Sequence, residues 1–427
     1  RLLPPFRPTG AAMPTDRPTD AQVLLARGHT SLEQADYREA VECFSRAIAL
    51  RPDVAGYRAR ARAYRELGQR TDALNDLDRA IRLKADDLPL YLERADLLFR
   101  QHSYDAALAD CDRLVTADPN WAAVRALRGD CHAAGGDTDK ALSDYTAAIT
   151  AAGDDPVAAA DVHRRRAALY LDGDNAAAAA RDCDAALRLD PSNAKAYRVR
   201  GMAHREAGDF AAADADLTRA LELDADTPLT LLARATVRFD LGDPAAAAAD
   251  CDKALTLDPD NARAYSLRGM ARRKGADLAG ALADFTAAVK LAPDQPGPRN
   301  LRAGIHYHLG QYGRAVQDHL DALKCDPRSP STFNQLGWLW ATAPDPDVRN
   351  GRQAKECATR ACELTEFQEA GYLDTLAAAS AECGEFDEAQ KWQAKALALA
   401  PPEQHADYEG RLALYAARKA YRAAAGG

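Results

Sequence analysis

The chain has 427 residues, a formal net charge of −9, and a make-up that is 47% apolar but only 7% aromatic. That acidic balance argues against general nucleic-acid binding, which needs a basic surface. No uninterrupted apolar run approaches the roughly 18 residues that a membrane-spanning helix requires, and the abundance of alanine, small and the best helix former, predicts closely packed helices.

In chain order, residues 1–20 (RLLPPFRPTGAAMPTDRPTD) come first, rich in Pro, Thr and Arg and without apolar periodicity. They read as a disordered leader or the end of a linker from a longer polypeptide. The chain opens on Arg1, Met13 is an alternative start, and a removed signal peptide fits the same beginning.

From residue 21 onward the sequence repeats itself with a period of about 34 residues. The segments RAIALRPD, DRLVTADPN, AALRLDPSN, KALTLDPDN and ALKCDPRS align, and each unit carries a small residue, a later Ala, then Ala-x-x-x-x-Pro. The units are 21–53, 54–87, 88–121, 122–155, 160–193, 194–227, 228–261, 262–295, 296–329, 330–368 and 370–403. Residues 156–159 are a short insertion, and ATAPDPDVRNG lengthens the turn inside the tenth unit. Gly68, Gly136, Gly208, Gly242, Gly310 and Gly384 suit the left-handed conformation that ends a first helix. Pro52, Pro119, Pro191, Pro259, Pro293, Pro327 and Pro401 stop the second. Segment 404–423 has helical periodicity and no partner helix, and reads as a cap on the last exposed face.

A second period runs inside the first. Units three, five and seven carry Asp-Cys-Asp in their second helix, whereas units four, six and eight carry SDYTAA, ADLTRA and ADFTAA, with Gly rather than Ala on the first helix. This is the mark of a duplicated pair of hairpins. Cys111, Cys183 and Cys251 fall where a small buried residue belongs, and the nine cysteines read as reduced core thiols of a cytoplasmic protein. Cys357 and Cys362, five apart on a predicted helix, do not share a face as metal ligands would.

These small residues, glycines, alanines and prolines resemble the tetratricopeptide repeat family over about 21–403. The resemblance implies an all-α fold, a right-handed superhelical α-solenoid of about eleven helical hairpins closed by a capping helix. In the family the first helices line a concave face that binds an extended peptide or a helix of a partner protein.

Where a typical unit of that family buries Leu, units two to nine carry Arg60, Arg94, Arg128, Arg166, Arg200, Arg234, Arg268 and Arg302. Sixteen residues later they carry Asp76, Asp110, Asp144, Asp182, Asp216, Asp250, Asp284 and Asp318. Units ten and eleven lack both, with Leu336 and Cys357, then Leu376 and Trp392; unit one has Arg27 but Cys43, so Arg27 is expected to reach water. Co-occurrence within a unit predicts a bidentate, largely buried ion pair between the two helices of each hairpin.

No catalytic constellation, phosphate loop or metal motif stands out, so neither enzymatic activity nor a cofactor is expected. His132, His204 and His306 share one repeat position and read as packing or local hydrogen-bonding residues. Carried onto the family's groove positions, Arg58, Arg62, Arg65, Arg164, Lys195, Arg198, Arg205, Arg263, Arg273 and Lys274 place positive charge on one face of an acidic chain. That points to an acidic or carboxylate-bearing peptide as partner, with no nucleic acid and no membrane expected. The family's carboxylate clamp for a chaperone tail is missing: Asn300 is followed by Gly304 and Asn334 by Trp338.

The last two units resemble a C-terminal module common in bacterial repeat proteins, notably those of planctomycetes, which often follows an effector domain. They concentrate Phe333, Trp338, Trp340 and Trp392, which read as core packing or as a partner-binding aromatic patch. The leading expectation is a non-catalytic bacterial scaffold. The alternative makes the array a regulatory or substrate-recruiting part of a larger enzyme, such as a kinase or protease, with its catalytic domain before Arg1.

Overall fold

Most hairpins share the same local chemistry. In ten of the eleven the first helix ends in a left-handed residue, and in six of those the second starts on a side-chain cap. In the fourth hairpin Gly136 takes φ 81°, so that its N–H reaches Ala133 O and the next N–H, from Asp137, reaches His132 O at 2.9 Å. The Asp137 carboxylate then accepts from Lys140 N and opens the second helix. The same left-handed position is taken by Gly68, Gly208, Gly242, Gly310 and Gly384, but also by Ala35, His102, Asp174 and Ala276.

The computed structural model describes residues 20–153, 155–225 and 227–424, so the leader expected over 1–20 lies outside the described residues except for Asp20, which opens the first helix. Among the described residues every regular element is helical, and none is long and apolar enough to cross a membrane. The fold is an all-α solenoid of paired helices.

The chain divides into two compact units, one ending at Ala203 and one starting at His204. In the first, the helices are α1 (Asp20–Glu33), α2 (Tyr37–Leu50), α3 (Val54–Glu66), α4 (Arg70–Leu83), α5 (Leu88–Arg100), α6 (Tyr104–Ala117), α7 (Ala122–Ala134), α8 (Thr138–Ala152), α9 (Pro156–Asp172), α10 (Ala176–Leu189) and most of α11 (Ala194–Glu206). The residues expected as an insertion at 156–159 form the first turn of α9, which is 17 residues long and capped by Asp155. Proline fits a helix start because its missing N–H would have had no partner there.

The second unit holds α12 (Phe210–Leu223), α13 (Pro228–Asp240), α14 (Pro244–Leu257), α15 (Ala262–Lys274), α16 (Leu278–Leu291), α17 (Pro296–His308), α18 (Tyr312–Cys325), α19 (Pro330–Thr342), α20 (Gly351–Leu364), α21 (Ala370–Glu382), α22 (Phe386–Leu399) and the terminal α23 (His405–Ala416). The terminal helix is shorter than the segment 404–423 expected for it. It stops where Arg418 turns left-handed (φ 55°) and Lys419 N bonds back to Leu414 O. The residues beyond leave the helix and return: Ala423 N donates to Thr342 O, and the Tyr421 ring lies 5.7 Å from that of Trp338.

Packing explains the two-hairpin period. In three hairpins the small residue is glycine because a ring fills the space beside it. A Cβ on Gly28, Gly129 or Gly269 would come within 2.7 Å of Phe44, Tyr145 or Phe285. Where the first helix carries Ala95, Ala167 or Ala235, the residue opposite shrinks to Cys111, Cys183 or Cys251, all fully buried. Volume is conserved across the interface, as close packing of an interior demands.

Candidate protein-binding faces

The arginines of the first helices lie between second helices. Arg60 Nε and Nη2 donate to Asp76 at 2.7 and 2.8 Å. The same two-pronged contact joins Arg94 to Asp110, Arg128 to Asp144, Arg166 to Asp182, Arg234 to Asp250, Arg268 to Asp284 and Arg302 to Asp318. The aspartates are buried, and of these arginines Arg234 is the most buried, the rest keeping more of an edge toward solvent. Arg200 and Asp216 stand on opposite sides of the division between the units; within the first unit Arg200 Nη1 donates to Asp184 at 2.7 Å. In the first hairpin Arg27 is exposed but does not simply reach water, since it pairs with Glu39.

The third guanidinium nitrogen adds a link that unit-by-unit comparison did not show. Nη1 of Arg94, Arg128 and Arg268 reaches back to Asp78, Asp112 and Asp252 of the preceding second helix at 2.6, 2.9 and 2.5 Å. Arg60, Arg166 and Arg234 find Ser45, Thr146 and Thr218 there instead. One planar side chain thus ties three helices. For Arg94, Arg128 and Arg268 the hydrogen bond to its own aspartate is the main cause holding the pKa above the usual arginine value, against the opposing effect of burial. Burial pushes Asp182 up, but hydrogen bonds from Arg166 and His163 outweigh it and leave the carboxyl below its ordinary range. One turn after the arginine, His132, His204 and His306 bring Nε2 to 3.7–3.8 Å from the same aspartates. Arg238 and Arg272 occupy that position in their hairpins and bond Asp250 and Asp284 at 2.9 Å.

The groove cations divide into two groups. Arg58 pairs with Glu93, Arg65 with Glu66, Arg164 with Asp161 and Arg205 with Asp240. Lys274 donates to Phe239 O at 3.1 Å and sits over that ring. Among the described residues, no carboxylate lies within ion-pair distance of Arg62, Lys195, Arg198, Arg263 or Arg273. In the first unit Arg58, Arg62 and Arg65 border a cavity of about 480 Å³ floored by Ala59 and Leu77, with Glu93 its one acidic group. Arg198 is partly buried, and burial together with the charge of Arg164 lowers its pKa.

A larger cavity, about 840 Å³, lies in the second unit against α15, α17, α19, α21 and α23. Asp374, which repeat comparison passed over, is buried there and accepts from Arg411 Nε at 2.7 Å and Gln393 Nε2 at 2.8 Å. Burial raises its pKa, and these partners only partly offset that. The last hairpin thus keeps the arginine–carboxylate theme with the acid on the first helix and the arginine on α23. The four aromatic residues separate: Trp340 is core, Phe333 is half-buried, Trp392 stacks on Phe367 at 5.5 Å, and Trp338 is a wall of the cavity. Among the described residues no group of three or more His, Cys, Asp or Glu side chains could hold a metal ion.

The tetratricopeptide repeat model matches residues 25–87, 58–122, 92–156, 164–228, 232–296 and 267–330. Sperm-associated antigen 1 of Rattus norvegicus is 28% identical over 94 residues, 22% of this chain and 10% of that protein. The small glutamine-rich tetratricopeptide repeat-containing protein 2 of Mycosarcoma maydis is 29% identical over 101 residues, 23% of this chain and 29% of that protein. The chain therefore spans less than a third of the length of either relative. Among solved structures, yeast Tom70 aligns with a TM-score of 0.45 at 16% identity, covering 93% of this chain and 96% of that one. With more than half of its residues matched by the family model, the chain belongs to the tetratricopeptide repeat family and is a protein–protein interaction scaffold.

Proposed function

We propose that the scaffold works without catalysis and captures a partner protein through an acidic segment laid along the first-helix face of the first unit. The observation that supports this reading is the imbalance of charge on that face. Arg58 and Arg65 share Glu93 and Glu66, but Arg62, Lys195 and Arg198 carry charge that no carboxylate of the described chain neutralises. A carboxylate supplied by a partner would gain charge-assisted hydrogen bonds from the guanidinium groups and relieve the repulsion between Arg164 and Arg198. The ladder arginines of the first unit compete less for it, because Arg60, Arg94, Arg128 and Arg166 already donate to aspartates within the array and, for Arg60 and Arg166, also to Ser45 and Thr146.

The test is a fluorescence-anisotropy titration with labelled twelve-residue peptides, one Asp/Glu-rich and one its Asn/Gln counterpart, against the intact chain and an Arg58→Glu/Arg62→Glu/Arg65→Glu variant. The acidic peptide should bind the intact chain, weaken as salt rises from 50 to 300 mM, and lose about tenfold or more in the variant. Equal binding of the two peptides, no loss in the variant, or tighter binding of a labelled single-stranded RNA than of the acidic peptide would each overturn the reading.

A further inference from the structure

Glycine in the middle of a helix costs about 0.5–1 kcal/mol relative to alanine, so its presence needs a reason. For Gly129 and Gly269 the reason is a ring of the same hairpin that leaves no room for a Cβ. Gly304, within α17, has no such neighbour: a Cβ there would meet only Arg273 Nη1, at 3.8 Å. A Cβ on Gly297 would meet nothing within 4 Å, and one on Gly371 only the Tyr408 hydroxyl at 4.0 Å. All three border the 840 Å³ cavity of the second unit, and none is the small residue that brings the two helices of a hairpin together.

The cavity also holds an unmatched polar group. Asn300, one repeat before Asn334, has its carboxamide fully used: Nδ2 donates to Thr332 Oγ1 at 2.8 Å and Oδ1 lies 2.9 Å from His319 Nδ1. Asn334 keeps its Oδ1 buried with no hydrogen-bond partner, which is costly unless something supplies one. A carboxamide offers an acceptor and two donors, and Asn334 lines the cavity. One turn on stands Trp338, whose indole is held by Arg411 at 5.7 Å from its centroid.

We propose that this cavity is a second docking site, in which Asn334 hydrogen-bonds a main-chain amide of a partner peptide while a bulky apolar or aromatic side chain of that peptide fills the space left by Gly297, Gly304 and Gly371 beside Trp338. A carboxamide and a peptide group are complementary, each offering one donor and one acceptor, and the volume lies in the range of pockets that engulf a ligand group. The site is independent of the basic face in the first unit: it selects bulk and a peptide bond rather than negative charge.

The experiment uses minimal probes on the intact chain. N-acetyl-phenylalanine methylamide, N-acetyl-glycine methylamide and toluene are titrated by saturation-transfer NMR, with Trp fluorescence as a second readout. The phenylalanine probe should bind, and the glycine probe and toluene should bind at least about fivefold more weakly. Gly304→Leu should abolish binding while raising thermal stability, since leucine is the better helix former; Gly297→Leu serves as a second plug should the first variant misfold. Asn334→Ala should weaken the phenylalanine probe about fivefold and leave toluene unchanged. Equal binding of toluene and the phenylalanine probe, no binding of that probe, or its undiminished binding to the plugged variants would each overturn the proposal. None of these outcomes bears on the acidic peptide and the Arg58/Arg62/Arg65 face.

Discussion

Arg94 Nη1 lies 2.6 Å from Asp78 Oδ1 on the preceding second helix, while the other edge of the same guanidinium holds Asp110 on its own. The two aspartates do not contribute equally. Asp110 is buried at 5% exposure, whereas the Asp78 side chain is 41% exposed. Removing the buried partner strands a desolvated charge; removing the exposed one lets water replace it.

Asp110→Ala should therefore destabilise the first unit by about 3–5 kcal/mol, and Asp78→Ala by less than about 1 kcal/mol. Urea unfolding followed by circular dichroism reads both midpoints. Similar losses in the two variants would refute the division into a structural and a peripheral rung.

The ladder shows how much of the fold the sequence carries. The spacing of an arginine and an aspartate sixteen residues on recurs in every unit from two to nine, so aligning units exposes the pair. The backward link does not repeat with the unit. From Arg128 to Arg268 it alternates between Asp112, Asp184 and Asp252 on one side and Thr146 and Thr218 on the other, following the duplicated pair, whereas Ser45 and Asp78 near the start of the array stand outside that alternation. Asp374 and Arg411 escaped for a related reason: Asp374 stands where other units carry Arg58, Asn300 or Asn334, but its partner Arg411 lies beyond the repeats, so aligning units does not pair them. The groove arginines were legible as positions but not as free charges: whether Arg58 or Arg62 has a counterion depends on Glu93, which lies one unit away. A signal for the second cavity was present in Gly297, Gly304 and Gly371, glycines off the repeat's small position, but only coordinates tell an empty neighbourhood from a crowded one.

That distinction gives opposite outcomes for one substitution. Gly269→Ala drives a methyl within 2.7 Å of Phe285 and should cost about 1–3 kcal/mol through overpacking. Gly304→Ala meets only Arg273 Nη1 at 3.8 Å and should gain up to about 1 kcal/mol from helix propensity. Thermal melting of the two variants side by side distinguishes them, and a fall in both midpoints would mean that Gly304 is structural.

The chain beyond α23 is held by specific contacts that a truncation would remove. Arg422 Nη2 lies 2.6 Å from Glu382 Oε2, Ala423 N donates to Thr342 O at 2.9 Å, and Tyr421 packs on Trp338. Deleting residues from 419 onward should cost about 1–3 kcal/mol in the last hairpins and shift Trp338 emission to longer wavelength as its ring gains water. Hydrogen exchange should speed up in α19 and α21 and not in α12 to α14. Uniform exchange across the second unit would argue against a local clasp.

His319 supplies the pH dependence. Its imidazole is 5% exposed, and burial lowers its pKa to about 4, the nearby Asp318 carboxylate opposing that only in part. Asn300 Oδ1 accepts from Nδ1, because the same carboxamide spends Nδ2 on Thr332, which fixes the tautomer, while burial holds the ring neutral in the folded chain. An unfolded histidine takes up its proton near pH 6.5. Between about pH 6.5 and 4 the unfolded state therefore binds more protons than the folded one, and stability falls as the solution is acidified through that window. The contribution is complete above about 6.5 and amounts to about 3 kcal/mol lost by pH 4. His319→Asn keeps a neutral group able to face Asn300 and should flatten the decline between pH 6.5 and 4 relative to the parent chain, measured as the difference in urea midpoints at each pH. A variant whose stability falls just as steeply over that window would show that the proton is taken up elsewhere.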